Sequence, residues 1–322
     1  MIIVTGGAGF IGSQLVLGLN RLGHQNILVV DDLTDGRKFK NLSHARIADY
    51  IDYEKFFKDI GCNKTFASSV KAIFHQGACT KTTEWNGRYM MANNYEYSKA
   101  LLHYSLDHHS AFIYASSAAI YGSSNIFKEN PENENPLNVY GYSKYLFDHY
   151  VRRQLPKANS PIVGLRYFNV YGPHEDFKGD MASIAWHLMH QLKETQEVKI
   201  FEGSDGYQPG EQKRDFIFVE DVIRVNTWFL QHPEKSGIYN CGTGKARPFN
   251  AIANTLLKLY GNGKIKYIPF PEKLKGFYQN FTQADITKLR EAGYSHEFTS
   301  LEKGIEIYYK YFSDHIIKRS TK

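Results

Sequence analysis

Cysteine is scarce in this chain of 322 residues, which contains only Cys62, Cys79 and Cys241. They are odd in number and far apart, which argues against both a disulfide framework and a cysteine-based zinc site. The thirteen histidines show no metal-ligand spacing beside cysteines or carboxylates. We therefore expect ordinary buried or partly buried thiols, no bound metal and a reducing, cytoplasmic setting.

Long apolar runs are also missing, since no hydrophobic stretch is long enough to span a bilayer. The first strand is predicted to begin at Ile2, so we expect no secretory signal peptide. Basic blocks of the size that bind nucleic acid are absent as well, although the net charge is +6. This mild positive excess suits anionic ligands such as nucleotides, and we expect neither a membrane nor a nucleic-acid partner.

A glycine-rich turn directly follows a short apolar segment at the start of the chain. Ile2–Val4 is predicted to be a buried strand, and Gly6, Gly9 and Gly12 follow at intervals of three residues. This spacing suits a strand-to-helix turn where a pyrophosphate approaches the backbone and a helix N-terminus. A second strand, Ile27–Asp31, ends in an acidic residue where the adenosine ribose of a dinucleotide is usually held. The pattern predicts a nucleotide cofactor.

Strand-like and helix-like segments alternate over residues 1–168. The strand candidates are Ile2–Thr5, Ile27–Asp31, Arg46–Ala48, Ala72–His75, Phe112–Ser116 and Ile162–Phe168. Helix-length periodic segments lie between several of them, such as Ile11–Leu22 and Val139–Leu155. This alternation predicts an α/β fold with a doubly wound parallel sheet of the Rossmann type, covered by helices on both faces. We assign residues 1–168 to a dinucleotide-binding domain.

The pattern changes beyond residue 168, where the chain becomes richer in glycine, proline and charge. We predict a helix at Met181–Lys193, an exposed loop at Ser204–Glu211, a strand at Phe216–Val219 and a helix at Asp221–Leu230. Residues 169–322 are predicted to form mainly a smaller C-terminal α/β lobe that binds substrate. A segment near residues 214–242 is predicted to cross back into the first domain.

A tyrosine and a lysine, Tyr140 and Lys144, stand four residues apart on a predicted helix and therefore share one face. A tyrosine titrates near pH 10, and a nearby ammonium would stabilise its phenolate, so we expect Lys144 to lower the pKa of Tyr140. Ser116 and Ser117 end a predicted strand, and sites in open α/β sheets lie at the carboxyl ends of strands. These side chains predict acid–base chemistry on a substrate alcohol.

Five motifs combine these features: Thr5–Gly12, Ser116–Gly122, Tyr140–Lys144, Arg166–Pro173 and Arg214–Phe216. Together they resemble the extended short-chain dehydrogenase/reductase superfamily, whose members mostly act on nucleotide sugars. A narrower resemblance, to the nucleotide-sugar epimerases that act on ADP-linked heptose, covers nearly the whole chain. It rests on Thr82–Trp85, Tyr89–Met91, Pro136–Tyr140, Phe201–Ser204, Tyr267–Pro271, Leu274–Gly276 and Phe281–Asp285.

The resemblance implies an epimerase that transiently oxidises C6 of an ADP-heptose with bound NADP. The product would serve the inner core of lipopolysaccharide, and the enzyme would be a homo-oligomer, pentameric in well-known members. Tyr140 and Lys178 would be the catalytic acid/base residues, assisted by Ser117 and by Lys144, which would also contact the nicotinamide ribose. By residue type alone, Lys178 would be an ordinary solvated loop lysine.

The resemblance also implies which residues bind the two ligands. Cofactor contacts would come from Gly6, Gly9, Phe10, Ile11, Gly12, Asp31, Asp32, Lys38, Gln76, Gly77, Ala78, Cys79, Thr80, Asn93, Lys144 and Val170. Substrate contacts would come from Asn169, Asp180, His187, Phe201, Glu202, Gly203, Ser204, Arg214 and Tyr278. Two positions depart from the family pattern: Asp180 replaces a usual serine, and Tyr53 replaces a usual lysine.

Cofactor choice and reaction type each have an alternative. Asp31 alone favours NAD, whereas Lys38, with Arg37 beside it, could balance the 2′-phosphate of NADP, and we follow NADP. The rival enzymes are another nucleotide-sugar epimerase or a dehydratase, but dehydratases usually carry Asp-Glu where this chain has Ala118-Ala119. A non-catalytic cofactor-sensing protein is the rival of another class, and such proteins typically lose the tyrosine or the lysine.

Overall fold

Short strands and helices alternate along the chain in this computed structural model, which describes residues 1–62, 69–204, 206–271 and 279–317. The strands in these residues are β1 (Ile2–Thr5), β2 (Ile27–Asp31), β3 (Asp49–Asp52), β4 (Ala72–His75), β5 (Ala111–Ser117), β6 (Ile162–Tyr167), β7 (Asn169–Tyr171), β8 (Glu197–Phe201), β9 (Lys213–Phe218), β10 (Gly237–Cys241), β11 (Ala246–Pro248) and β12 (Lys264–Ile268). The helices are α1 (Phe10–Arg21), α2 (Phe39–Leu42), α3 (Tyr53–Gly61), α4 (Gly87–Met91), α5 (Tyr97–Asp107), α6 (Val139–Gln154), α7 (Ile184–Thr195), α8 (Val219–Gln231), α9 (Phe249–Tyr260), α10 (Thr287–Glu291) and α11 (Leu301–Phe312).

Seven parallel strands form the large sheet, in the order β10-β6-β5-β4-β1-β2-β3. Strands β1, β2 and β4 are uninterrupted buried runs, as expected where helices cover both faces of a parallel sheet. The strand order reverses between β1 and β4, which opens a crevice at the carboxyl ends of the strands. The doubly wound Rossmann fold predicted from the sequence is therefore confirmed.

Two apolar layers hold the helices against this sheet. On one face Leu15 and Leu19 of α1 pack with Ile223 and Phe229 of α8 in the core. On the other face Phe56 of α3, with α5 and α6, covers the same strands. Because the crevice lies between rigid, fully buried strands, the loops that leave their carboxyl ends are held in place.

The predicted strand Arg46–Ala48 is wrong, because the strand at this edge begins later. Its ladder with β2 starts at the pair Leu28 and Asp49. Arg46 is held instead by the side chain of Asn20, whose oxygen accepts its backbone N–H at 2.7 Å. The edge strand β3 has an exposed aspartate at each end and only the half-buried Tyr50 and Ile51 between them, so it lacks the apolar run that marked the inner strands.

Smaller sheets lie beyond residue 168. Strands β11, β9 and β7 form one, and β12 pairs with β8 in parallel. Helices α7, α9 and α11 pack around them in a separate apolar cluster that includes Leu188, Leu256 and Ile305. Strand β10 returns to the large sheet beside β6. Among the described residues, none of the helices combines the length and apolar character that a bilayer crossing requires.

Candidate active site

The turn after β1 has a shape that only glycine allows. Gly6 has φ +67°, and a Cβ at this position would lie 2.6 Å from the backbone nitrogen of Gly77. A Cβ at Gly12 would collide with the carbonyl oxygen of Gly6. Gly9 precedes α1 without a side-chain cap, so the first N–H groups of that helix are left to a ligand. This cradle suits the pyrophosphate of a dinucleotide.

Asp31 and Lys38 form an ion pair at the end of β2. The Lys38 ammonium donates to the Asp31 carboxylate at 2.9 Å and to the backbone oxygen of Asp32 at 2.6 Å. The other carboxylate oxygen of Asp31 accepts the backbone N–H of Ala8 in the glycine turn, at 2.7 Å. Arg37 is engaged elsewhere, since its guanidinium pairs with Asp35. The charge beside Asp31 thus comes from Lys38 rather than Arg37.

A cavity of about 420 Å³ joins the turn to this ion pair. Most of the residues predicted to bind cofactor line it, namely Gly6, Gly9, Phe10, Ile11, Gly12, Asp31, Asp32, Lys38, Gln76, Gly77, Ala78, Cys79, Thr80 and Asn93. Tyr53, one of the departures noted above, lines the same cavity. The free N–H groups of the turn and the charged pair in this cavity fit a dinucleotide of the NAD type.

The loop after β4 is pinned by Asn94, a residue that the sequence did not single out. Its side-chain oxygen accepts the N–H of Cys79 at 2.8 Å, and its amide donates to the carbonyl of Cys79 at 2.9 Å. The same amide reaches the hydroxyl of Ser143 on α6 at 3.2 Å. Asn94 lies in a π-helical stretch, Ala92–Glu96, and such stretches are frequent at functional sites. Asn94 thus ties the loop after β4 to α6, the helix that carries Tyr140.

A second cavity, of about 620 Å³, adjoins the first and contains the predicted catalytic groups. The predicted residues on its wall are Ser117, Tyr140, Lys144, Asn169, Val170, Lys178, Asp180 and Arg214. Seven residues line both cavities: Phe10, Ile11, Gln76, Ala78, Thr80, Lys178 and Met181. A substrate in the second cavity would therefore lie against a cofactor in the first.

Tyr140 lies in the first turn of α6 and hydrogen-bonds to Ser117 at the end of β5. Asn138 caps this helix by accepting the N–H of Gly141 at 2.8 Å, which sets where α6 starts. Burial raises the pKa of the Tyr140 phenol above its ordinary value, and the hydrogen bond with Ser117 opposes that rise. The expectation that Lys144 lowers the pKa of Tyr140 is therefore wrong for the protein without bound ligands.

Lys144 is buried one turn further along the same helix. Its ammonium donates to the carbonyl of Ala115 in β5 at 2.8 Å, which fixes the side chain against the sheet. Burial lowers the pKa of Lys144 to about 8, with the Asp148 carboxylate opposing the shift. Asp148 in turn accepts hydrogen bonds from Ser116 and from the buried guanidinium of Arg166. The lysine thus sits over an anchored carboxylate.

Residues 2–242 match the protein family described as the NAD dependent epimerase/dehydratase family. The chain belongs to this family. It is 56% identical over 308 residues to an ADP-L-glycero-D-manno-heptose-6-epimerase of Alkalilimnicola ehrlichii, with 96% of each chain covered. The family resemblance inferred from the sequence is thereby confirmed.

Solved structures of the epimerase/dehydratase family agree with this assignment. The crystal structure of the ADP-L-glycero-D-manno-heptose-6-epimerase of Helicobacter pylori has a TM-score of 0.83 and 34% identity, covering 96% of this chain and 95% of that one. A UDP-glucose 4-epimerase of Thermotoga maritima, solved with UDP-glucose, has a TM-score of 0.80 and 29% identity, covering 100% and 99%.

Some predicted substrate residues of this epimerase/dehydratase do not line the second cavity. They are His187, Phe201, Glu202, Gly203 and Ser204. Ser204 instead donates to the side chain of Asn280 at 3.0 Å, and the carbonyl of Glu202 accepts from Gln212 at 3.1 Å. Tyr278 lies outside the described residues. These roles stay predictions.

Other residues that line the second cavity were not singled out from the sequence. Gln279 and Phe249 line it from the C-terminal lobe, and Phe249 lies under the guanidinium of Arg214, 5.8 Å from ring centroid to Cζ. They come from elements far apart in the chain, so no local spacing could have predicted them. No cluster of three or more histidine, cysteine or acidic side chains suited to a metal is found among the described residues.

Proposed function

We propose that the protein interconverts ADP-D-glycero-D-manno-heptose and ADP-L-glycero-D-manno-heptose by transient oxidation at C6, as a step toward the inner core of lipopolysaccharide. The observation that carries this proposal is the 56% identity, over 96% of the chain, to an enzyme named for that reaction. The site supports it chemically, because two proton-transfer groups from different elements, Tyr140 and Lys178, line one cavity.

The cofactor we propose is NADP. Bound in the first cavity, it would supply reversible hydride transfer at C6 of the sugar. The glycine turn and the N-terminus of α1 would hold its pyrophosphate, and Lys144 would hold the nicotinamide ribose. The chain's own residues orient the sugar, exclude water and move the proton of the C6 hydroxyl.

The preference for NADP over NAD rests on Lys38. An ammonium has three donors, of which the contacts to Asp31 and Asp32 use two. A carboxylate alone would repel a 2′-phosphate, but here its charge is balanced by a cation 2.9 Å away. The ion pair therefore favours an adenosine end that carries a phosphate.

Inversion at C6 requires that the oxygen on this carbon takes two orientations in the site. In each orientation it needs a group that can donate and accept a proton. Tyr140 is proposed for one orientation, sharing a hydrogen bond with Ser117. Lys178 is proposed for the other, because burial lowers the pKa of its ammonium and so brings proton release closer to neutral pH. Arg214 lies on the same wall, and its fork of donors suits the diphosphate of an ADP-sugar.

The deciding experiment is turnover of ADP-D-glycero-D-manno-heptose followed by NMR in D₂O. We expect both epimers at equilibrium and no deuterium at C6, since the hydrogen at that carbon never exchanges with water. Stoichiometric deuterium at C6 would mean proton abstraction and return, and would exclude the redox mechanism. Turnover of UDP-glucose but not of the ADP-heptose would assign the chain to another epimerase of the family.

We further propose that the protein is a homo-oligomer, such as a pentamer, and works in the cytoplasm, as the family resemblance implies. The three cysteines of the chain are free, in keeping with a reducing compartment. Light scattering of the purified protein would test the assembly, and a mass equal to one chain would contradict it.

A further inference from the structure

The loop between β7 and α7 is closed by a single buried carboxylate, that of Glu175. Its Oε1 accepts the backbone N–H of Gly172 at 2.9 Å and the hydroxyl of Ser183 at 2.8 Å. Its Oε2 accepts the backbone N–H of Ser183 at the far end of the loop. Glu175 is fully buried. One side chain thus joins both ends of residues 172–183.

The same contacts set where α7 begins. The hydroxyl of Ser183 donates to Glu175 and also accepts the N–H of Trp186, at 3.3 Å, as the cap of the helix. Within the loop the N–H of Lys178 donates to the carbonyl of Glu175 at 2.9 Å. Lys178 stands mid-loop and lines both cavities. Its backbone position therefore depends on Glu175.

The two side chains also act on each other through their charges. Burial lowers the pKa of the Lys178 ammonium, and the charge of Glu175 opposes that shift. Burial raises the pKa of the Glu175 carboxyl to about 7, while its hydrogen bonds and the charge of Lys178 oppose the rise. Two further titratable groups face this pair: Tyr308 of α11, which hydrogen-bonds to Glu175, and Asp176 on the loop, whose charge acts on Tyr308.

We propose that Glu175 is a positioning residue for Lys178, fastening the loop that carries it and placing a negative charge within that same loop. This inference rests on the proposed function, in which Lys178 transfers a proton. Because burial raises the pKa of this carboxyl to about 7, its charge changes near neutral pH. When it is protonated, Lys178 loses its countercharge and releases its own proton more easily, so the two groups titrate as a coupled pair.

Amine labelling tests this coupling without requiring turnover. The rate at which acetic anhydride modifies Lys178, read by mass spectrometry, reports the fraction of neutral amine. In the wild-type chain we expect the logarithm of this rate to flatten near pH 7, where Glu175 ionises. In Glu175→Gln the plot should stay straight, and labelling above pH 7 should be about tenfold faster. Asp176→Asn, which removes the neighbouring loop carboxylate, is the matched control and should follow the wild type.

A role in loop structure alone would give a different result. A loosened loop also admits the reagent to Lys178 and so shifts the whole Glu175→Gln plot, but it does not bend the wild-type plot near pH 7. A straight wild-type plot, or equal rates in the wild type and Glu175→Gln, would overturn the proposal. The wild-type plot needs no variant, so the test stands even if Glu175→Gln does not fold.

Kinetics with the ADP-heptose supply the second readout. Glu175→Gln should lower kcat by about tenfold, part of the 10²–10⁴-fold typical of positioned acid–base catalysis, with a smaller change in KM. Glu175→Asp keeps the charge and should recover the wild-type labelling plot and part of kcat; a plot like that of Glu175→Gln would contradict the charge argument. If the wild type does not turn over the ADP-heptose, the proposed function fails, whereas labelling still decides whether Glu175 controls Lys178.

Discussion

The ammonium of Lys38 lies 2.9 Å from the carboxylate of Asp31, whose other oxygen is bound to the backbone of Ala8 in the glycine turn. An acidic residue at the end of the second strand is typical of sites for NAD, because it accepts the ribose hydroxyl. The lysine changes that site, since it neutralises the carboxylate and supplies the cation that the proposed binding of NADP requires.

Lys38→Ala is expected to weaken NADP binding far more than NAD binding. The lost charge-assisted hydrogen bond to the phosphate should cost about 1.5–3 kcal/mol. Calorimetric titration of nucleotide-free protein with each cofactor measures the difference. Arg37→Ala is the control, because Arg37 pairs with Asp35 and should leave the preference intact. Equal losses for both cofactors, or NAD alone in the extract of denatured wild-type protein, would contradict NADP as the natural ligand.

Tyr140→Phe and Lys178→Met are each expected to lose activity by about 10²–10⁴-fold while still binding ADP-sugar. Each variant removes one of the two groups proposed to exchange a proton with the C6 oxygen. Steady-state rates with both epimers, together with binding of ADP, separate catalysis from affinity. Near-normal turnover by Lys178→Met would reduce Lys178 to a binding residue.

Asp180→Ser is expected to leave catalysis largely intact and to change KM more than kcat. Asp180 is exposed in the turn Gly179–Met181 at the rim of the second cavity. An ionised carboxylate accepts hydrogen bonds but cannot donate them, unlike a serine hydroxyl, so the contact with the sugar should change in kind. A collapse of kcat in this variant would instead give Asp180 a direct catalytic part.

Lys144→Met is expected to remove a pH-dependent part of the stability of nucleotide-free protein. Burial lowers the pKa of Lys144 in the folded chain from 10.5 to about 8. Between these values the unfolded chain binds more protons than the folded one, so this group makes stability rise with pH. The rise should reach about 3 kcal/mol, at about 1.4 kcal/mol per pKa unit.

Denaturant unfolding at several pH values gives the free energy of unfolding against pH for the wild type and for Lys144→Met. The rise is the change with pH in the difference between these two curves. The control is Lys71→Met, which replaces an exposed lysine outside both cavities. This variant should keep the wild-type dependence of stability on pH. Parallel curves for the wild type and Lys144→Met would show that the ammonium of Lys144 is better solvated than its position implies.

Local pattern alone determined much of this protein. The bounds predicted for β1, β2 and β4 match the structure, because buried parallel strands are continuous apolar runs that end at turns. The glycine turn and the placement of Tyr140 and Lys144 on one helix also followed from spacing. These features depend on residues within a few positions of one another, where backbone geometry and side-chain periodicity decide the outcome.

Tertiary structure decided the rest, because burial and long-range contacts leave no mark on local spacing. The edge strand β3 was missed, since an exposed edge needs no apolar run. The pKa of Tyr140 goes up rather than down, because Lys144 is directed to the carbonyl of Ala115 and the phenol is buried. Glu175 looked like any loop acid in the sequence. Only folding joins Gly172 to Ser183 around its carboxylate and so places Lys178 between the two cavities.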